Sequence, residues 1–585
     1  MNRMLSALSL LDWAIVALYL AFSFLTGAYL ARRAGRSMTD YFVSGRNLPW
    51  WALGTSMVAT TFAADTPLVV TGWIRTGGIW KNWFWWNYLV SHVFIVFVFA
   101  RLWRRAEVIT DNELIELRYS GKPAAFLRGF KAFYFSTLFN FIVMGWVIRA
   151  MAKIMGVFFG FDATLAILIC LAVAIVYTTL GGLWGVVMTD VFQYAVAVLG
   201  TITLAAVVVS SADIGGIGAF WAKVKTLGSH ASFFMTPSSG GHAGEGFFDS
   251  DFFVFLIYVS VIWWSSHNSD GGGYIIQRLS SARDEKNATL GMAWFAVNHY
   301  IVRFWPWVVV ALASLIVYPD SSPAGGDNEA MYVVMVKNFL GAGLRGLLFV
   351  TFLAAFMSTI TTQLNWGVSY IIGDIYKRFI KPEATEAHYV LASRLCTVGF
   401  ALVAGYVAFQ IQDIGSAWIY LWAMSSGIGL VLVLRWFWWR INAWSEIVAL
   451  SASLATITAV TAFVKLSGGQ LKMKHQILVV PISIACSLAA TLLTKPEPMS
   501  KLSSFYEKIR PWGFWKPVSR HLATQPSHPL RSVLLNWFFG VVFTSTAMLG
   551  VGKVTVGDLA AGSWLLLASL LSASALYRRL KEGIW

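Results

Sequence analysis

The chain is expected to fold as an all-α polytopic membrane protein, and three observations predict this. Of its 585 residues 57 % are hydrophobic and only 12 % are charged, with a mean hydropathy of +0.65. The apolar runs recur at lengths near the ~20 residues that a helix needs to cross a bilayer. Most of the 44 Lys and Arg fall in alternate connections between those runs, as the positive-inside rule requires. The net charge of +16 therefore marks cytoplasmic loops and not a nucleic-acid surface. Three cysteines, Cys170, Cys396 and Cys486, lie in apolar stretches at unrelated spacings and form neither a disulfide framework nor a metal pattern.

Fifteen hydrophobic helices are read, near 11–31, 50–74, 82–104, 125–155, 163–180, 183–210, 251–277, 286–318, 342–377, 386–412, 415–440, 444–466, 475–494, 530–552 and 556–579. The first is too long for a signal-peptide core, and its positive residues Arg32, Arg33 and Arg36 follow it. It is expected to stay in the mature protein, with the N-terminus outside and the C-terminus cytoplasmic. Basic clusters at 101–131 and 495–531 then fall on the inner side. The loop 319–329, acidic and rich in Gly and Ser, falls on the outer side. The organisation expected is 1–49, an N-terminal helix and linker; 50–210, a first repeat; 211–250, an outer loop; 251–440, a second repeat; 441–494, two accessory helices; 495–529, a cytoplasmic loop; and 530–585, a terminal helix pair.

Helices two to six and seven to eleven form two groups of five, and an odd number of crossings turns the second group upside down. Carriers built this way place their sites where the first helix of each repeat is interrupted. Both first helices carry an interruption. Ala63-Ala64-Asp65-Thr66-Pro67 brings a carboxylate and a proline to mid-membrane, and the proline frees a carbonyl near residue 63. Ser265-Ser266-His267-Asn268-Ser269-Asp270-Gly271-Gly272-Gly273 cannot be a stable lipid-facing helix. In the ninth helix, Ser358, Thr361, Thr362 and Asn365 fall at i, i+3, i+4 and i+7 and put oxygens on one stripe. Such a stripe suits a bare alkali cation, and it serves equally as interhelical packing.

Several landmarks occur in order: Asp40-Tyr41-Phe42-Val43-Ser44-Gly45-Arg46; Thr110-Asp111-Asn112-Glu113-Leu114; Tyr177-Thr178-Thr179-Leu180-Gly181-Gly182-Leu183-Trp184 with Thr189-Asp190-Val191-Phe192-Gln193; Tyr274-Ile275-Ile276-Gln277-Arg278; Gly343-Leu344-Arg345-Gly346-Leu347; Ala354 to Asn365; and Asp374-Ile375-Tyr376. Together they resemble the motifs of the sodium:solute symporter family, to which sodium/glucose, sodium/proline and sialic-acid transporters belong. Asn112 stands where that family usually has proline.

The resemblance implies a leucine-transporter-like 5+5 inverted-repeat core with one extra N-terminal and about four extra C-terminal helices. It also implies a sodium site made of the carbonyls of Ala59, Phe62 and Ala355 and the hydroxyls of Ser358 and Thr359. Five neutral oxygens suit a monovalent ion better than a divalent one. In some members a second sodium lies lower on the same helix, and its ligands match Asp190, Ser358, Thr361 and Thr362; Asp190 could instead line the sodium exit path. For the solute, the positions carrying Asn, Glu and Gln in sugar transporters become Thr61, Asp65 and Thr66. A sugar-binding glutamate falls within Trp85-Trp86-Asn87-Tyr88, which has no acid, and a sugar-binding Gln becomes Trp418. Asn268 and Asp270 come from the second interruption, and Asn298, His299 and Arg303 share a face of the eighth helix. Asp65 could bind sugar hydroxyls, a cationic group or a coupled proton.

The expectation is a sodium-coupled symporter, with one or two Na+, that imports a small organic solute, sugar-like by preference, across a bacterial inner membrane. Its partners are the solute and the lipid bilayer, with no nucleic acid or obligate protein partner. A proton-coupled carrier of the same fold is the alternative. An enzyme using His267 and Asp270 as a dyad is disfavoured, since no nucleophile, metal set or nucleotide loop accompanies them.

Overall fold

The computed structural model describes residues 8–34, 38–236, 246–469, 471–520, 522–523, 526 and 528–581. Arg36 lies outside the described residues, as do the side chains of Arg32, Arg33, Tyr177 and Thr179 through Gly185. The described residues are helical throughout, with only two isolated β-bridges, Leu48 to Ala282 and Trp438 to Phe514.

In chain order the main helices are α1 Leu10–Ala34, α2 Trp50–Thr61, α3 Thr66–Gly77, α4 Ile79–Ala106, α5 Gly121–Phe159, α6 Ala163–Ser210, α7 Asp251–Ser265, α8 Gly273–Ser281, α9 Glu285–Val317, α10 Leu344–Ile380, α11 Glu386–Gln410, α12 Ile414–Ser425, α13 Gly429–Phe437, α14 Ala443–Leu466, α15 Met473–Leu493, α16 Met499–Ile509, α17 Leu530–Thr555 and α18 Leu559–Lys581. Ten are long and apolar enough to cross a membrane, and the bent pair α2 and α3 makes an eleventh span. Each of the fifteen expected stretches is occupied by helix.

Helices expected at 163–180 and 183–210 fall in one element, α6. Its two apolar stretches, Ala163–Val176 and Val186–Ser210, lie at a common depth, with Cys170 beside Met155 and Gly200 against Thr351, so α6 folds back and supplies the two crossings expected there. Two features differ from the expectation. The single helix expected at 415–440 is broken between α12 and α13, where Gly427 adopts φ +99°. A short helix, Met331–Phe339, follows the loop at 319–329.

The two expected breaks are present and have local causes. α2 ends at Thr61, Phe62 turns to ψ 69°, and the chain resumes as α3 at an angle of 52° with Pro67 in its first turn. Between α7 and α8, Ser266 is extended, and Gly271, Gly272 and Gly273 have φ of +137°, +67° and +31°. Those values favour glycine, and a Cβ at Gly272 would also lie 2.2 Å from Asn268 Oδ1.

Burial ranks the helices by position. In α10, 94 % of the most apolar window is buried, against 17 % in α18, so α10 is central and α18 peripheral. α2 packs against α6, α8, α9 and α10. The terminal pair docks through α17, where Trp537 Nε1 donates to the Val90 carbonyl at 3.1 Å and Gly552 lies against Trp305. A Cβ at Gly552 would sit 2.0 Å from Trp305 Cη2, whereas one at Gly399 meets nothing within 4 Å. Gly552→Ala is therefore expected to destabilise the protein by about 1–3 kcal/mol and Gly399→Ala by far less, read from thermal unfolding in detergent.

Candidate solute and ion site

A cavity of about 200 Å³ lies where the two broken helices meet. Its wall takes Thr60, Thr61, Asp65 and Thr66 from the α2–α3 break, and His267, Asn268, Gly272 and Gly273 from the α7–α8 break. Trp85, Tyr88 and His92 come from α4, His299, Tyr300 and Arg303 from α9, Thr359, Gln363 and Trp366 from α10, and Trp418 and Trp422 from α12. Aromatic rings dominate this surface, and Asp65 and Arg303 are its carboxylate and guanidinium.

Arg303 meets the break and His299 through its two terminal nitrogens, while its Nε is buried without a partner. Its Nη1 donates to the Val58 carbonyl at 3.1 Å and to Thr61 Oγ1 at 3.0 Å, and its Nη2 lies 2.9 Å from His299 Nδ1. His92 Nδ1 is 2.8 Å from the Tyr300 hydroxyl. Asp65 is completely buried, and neither carboxylate oxygen has a hydrogen-bond partner. Tyr88 Oη, His267 Nδ1, Gln363 Oε1, Trp366 Nε1 and Trp418 Nε1 are likewise buried without a partner.

The oxygens around the α2 break meet α10. Phe62 N donates to the carbonyls of Val58 and Ala59, and Thr66 N to that of Ala63. Among the described residues no backbone amide reaches the carbonyls of Thr60, Thr61 or Phe62. Thr359 Oγ1 donates to the Thr60 carbonyl at 2.8 Å, which fixes α10 to the broken end of α2. One turn below, Ser358 Oγ donates to Asp190 Oδ1 at 2.6 Å, and Ser56 Oγ to Asp190 Oδ2 at 2.5 Å. Arg278 completes the group. Its Nη2 donates to Thr362 Oγ1 at 2.7 Å and to Thr60 Oγ1 at 3.3 Å, and lies 3.9 Å from Asp190. Both charges are wholly buried, so the carboxylate and guanidinium balance each other. Thr361 Oγ1 donates back to the Met357 carbonyl of its own helix at 2.7 Å.

Packed rings and ion pairs lie toward each end of the cavity. At one end Trp418 packs on Trp73 and Trp146, with ring centroids 5.7 and 5.8 Å apart. Beyond it Lys153 pairs with Glu329 at 2.6 Å and Asp327 at 2.9 Å, and the second Glu329 oxygen accepts from Gly415 N at 3.0 Å. At the other end Arg435 pairs with Asp270 at 2.6 Å and Glu446 at 3.3 Å, and Lys131 lies 3.8 Å from Glu446. The loop after α16 covers this end, with Trp515 Nε1 donating to the Trp436 carbonyl at 2.8 Å. Further out, Glu116 sits between Arg128 and Arg378. Partial burial opposes its ionisation, but these two guanidiniums hold its carboxyl below the usual range.

Of the ten residues expected at the solute, Thr61, Asp65, Thr66, Trp85, Tyr88, Asn268, His299 and Trp418 line the cavity. Two do not. Asn87 folds back, its Nδ2 donating to the carbonyls of Trp83 and Phe84. Asp270 points away into the Arg435 pair and accepts from Trp436 Nε1 at 3.0 Å. The His267–Asp270 dyad is accordingly not assembled. Sequence reasoning passed over His92, Gln363, Trp366 and Trp422 in the wall, and Ser56, Thr60 and Arg278 around Asp190. Gln363 and Trp366 flank the hydroxyl stripe in sequence and were the legible signal. Among the described residues no group of three or more His, Cys, Asp or Glu could hold a metal.

The pattern that defines the sodium:solute symporter family matches residues 41–455. The sodium/glucose cotransporter of Vibrio parahaemolyticus is 25 % identical over 484 residues, covering 78 % of this chain and 86 % of that protein. The sodium/mannose cotransporter of Bos taurus is 26 % identical over 478 residues, covering 77 % and 78 %. Among solved structures, a Na+-coupled sialic acid symporter in a substrate-bound outward-open state superposes with a TM-score of 0.66 at 20 % identity, over 84 % of this chain and 99 % of that one. MHP1, a nucleobase-cation-symport-1 family transporter in a closed conformation with bromovinylhydantoin bound, gives 0.50 at 15 % identity, over 80 % and 98 %. These two likenesses concern the fold alone.

Proposed function

Because the chain belongs to the sodium:solute symporter family and has its leucine-transporter-like fold, we propose that it imports a small organic solute, sugar-like in size and polarity, on the inward sodium gradient. One observation carries this reading. Thr60 and Thr359 both line the cavity, and they are joined by the hydrogen bond that ties α10 to the broken end of α2. An ion bound there and a solute in the cavity would share a wall, so each would alter the other's affinity by the same factor.

In this reading sodium is held by the carbonyls of Ala59, Phe62 and Ala355 and the hydroxyls of Ser358 and Thr359. A neutral oxygen set favours a monovalent cation. Asp190, Ser358 and Thr362 already converge, and a second sodium there would also require Thr361 to turn from the Met357 carbonyl. The positive-inside pattern puts the Arg435–Asp270 closure on the cytoplasmic side and the Lys153–Glu329 closure outside, in an inner membrane. Alternating access then opens these two closures in turn. Each sodium carried inward gains ~2.3 kcal/mol per 100 mV of membrane potential. The named relatives that carry glucose and mannose, together with the aromatic walls, support a sugar-like solute.

Ser358→Ala and Thr359→Ala test the ion assignment. The solute is first found by thermal-shift screening of sugars, amines, amino acids and organic acids, with and without sodium. Each variant is expected to raise the sodium concentration for half-maximal uptake on the order of tenfold, since one contact of about 1–1.5 kcal/mol is lost. Each is also expected to lower the melting temperature, since each hydroxyl makes a buried hydrogen bond. Unchanged sodium dependence in both variants would remove the assignment. A proton-coupled carrier would use Asp65 or Asp190 instead, and a pH jump in sodium-free vesicles would then drive uptake.

A further inference from the structure

Asp65 is the one carboxylate in the cavity wall, and no cationic side chain of the wall pairs with it. It is completely buried, and both of its oxygens lack a hydrogen-bond partner. A buried carboxylate in that condition is strongly disfavoured unless a cation or a donor arrives. Arg303, the other charged group of the wall, makes no ion pair within 4.0 Å among the described residues; its two terminal nitrogens face Val58, Thr61 and His299. Lys153 and Lys131, at the two ends, face Glu329 with Asp327 and Glu446 with Asp111. His92 is turned to Tyr300 and His299 to Arg303. The Trp418 indole and the Arg303 charge lie near Asp65, but among the described residues no basic side chain reaches it within ion-pair distance.

We propose that the solute supplies the complement: a protonated amine that pairs with Asp65, carried on a hydroxylated body of hexose size. An unacylated amino sugar or a related aminated polyol is the class. This rests on the symport reading above and narrows its substrate. The rings of Trp85, Tyr88, Trp418 and Trp422 around the cavity offer faces that attract an ammonium. The remaining unpartnered groups are mixed: Gln363 Oε1 accepts, Trp366 Nε1 and Trp418 Nε1 donate, and Tyr88 Oη and His267 Nδ1 do either. Hydroxyls answer both kinds. A bare alkylammonium would leave these groups unpaired, which disfavours it. A carboxylate-bearing solute would meet Asp65 with both terminal nitrogens of Arg303 already turned elsewhere. The cavity of about 200 Å³ has room for a solute of single-ring size.

The test is equilibrium binding to the purified full chain of glucosamine, 1-deoxynojirimycin, glucose, N-acetylglucosamine and N-acetylneuraminic acid, in sodium and in choline. The expected result is that at least one of the two amines binds at least tenfold more tightly than glucose or N-acetylglucosamine, and that the acid does not bind. Asp65→Asn is expected to abolish that preference. The wild-type comparison does not depend on whether the variant folds. Equal or tighter binding of the neutral sugars, or no binding of either amine, overturns the proposal, and so does an unchanged preference in folded Asp65→Asn. Sodium-dependent binding of glucose alone would overturn the amine while leaving symport standing. Amine binding that is identical in sodium and choline would do the reverse.

Discussion

Arg435→Ala is expected to lower stability by about 3–5 kcal/mol, the usual consequence of removing one partner from a buried ion pair. The guanidinium lies between Asp270 at 2.6 Å and Glu446 at 3.3 Å, over the rings of Trp103 and Trp436. Without it Asp270 keeps only the Trp436 indole, and Glu446 keeps Lys131 at 3.8 Å and the Tyr119 hydroxyl. Because Asp270 sits just before the three glycines, the α7–α8 break would lose its anchor as well. Arg435→Lys is expected to recover only part of the loss, since an ammonium cannot span two carboxylates as a planar fork does. Thermal unfolding in detergent reads both variants. An alanine variant within about 0.5 kcal/mol of the parent would mean the closure is not an ion-pair lock.

The second large effect is expected at Gly429, the first residue of α13. A Cβ there would come within 2.4 Å of the Ser266 and Trp264 carbonyls and 2.5 Å of Ser265 C. These are backbone atoms and cannot turn aside. The contact is reinforced by Gly427 N donating to the Ser265 carbonyl at 2.8 Å and by Ser269 Oγ donating to that of Gly429 at 2.9 Å. Gly429→Ala must therefore push α13 off the α7–α8 break that shapes one wall of the cavity. Overpacking of this kind costs about 1–3 kcal/mol of stability. The effect on solute binding is expected to be greater, a loss on the order of a hundredfold, because displaced walls lose positioned contacts. A variant that melts lower yet binds solute with parental affinity would separate α13 from the site.

How much of this was legible depended on whether the cause was local. Asp65, Pro67 and the run Gly271-Gly272-Gly273 announced two breaks, because a proline and consecutive glycines cannot continue a buried helix unaided. The break at Gly427 stayed hidden: a single glycine after Ser425-Ser426 is ordinary in a membrane helix, and what opens it is packing against α7 from 160 residues away. Asp270 looked like a cavity residue by its place in the break, but its orientation is decided by Arg435, 165 positions downstream. Asn87 could not be placed from its neighbours, because an asparagine near a helix end can turn outward or back onto its own carbonyls. The hydroxyl stripe on α10 was read correctly as one face only in part. Ser358 and Thr362 meet Asp190 and Arg278, while Thr361 turns to its own backbone.

The coupling site itself is most directly tested by equilibrium binding of radioactive sodium to the purified protein, competed with unlabelled sodium, potassium and choline. Saturable binding that sodium alone displaces, and that the double variant Ser358→Ala with Thr359→Ala loses while remaining folded, is the predicted result. Binding that the double variant retains, or that potassium displaces as well as sodium does, would contradict an ion held between α10 and the broken end of α2.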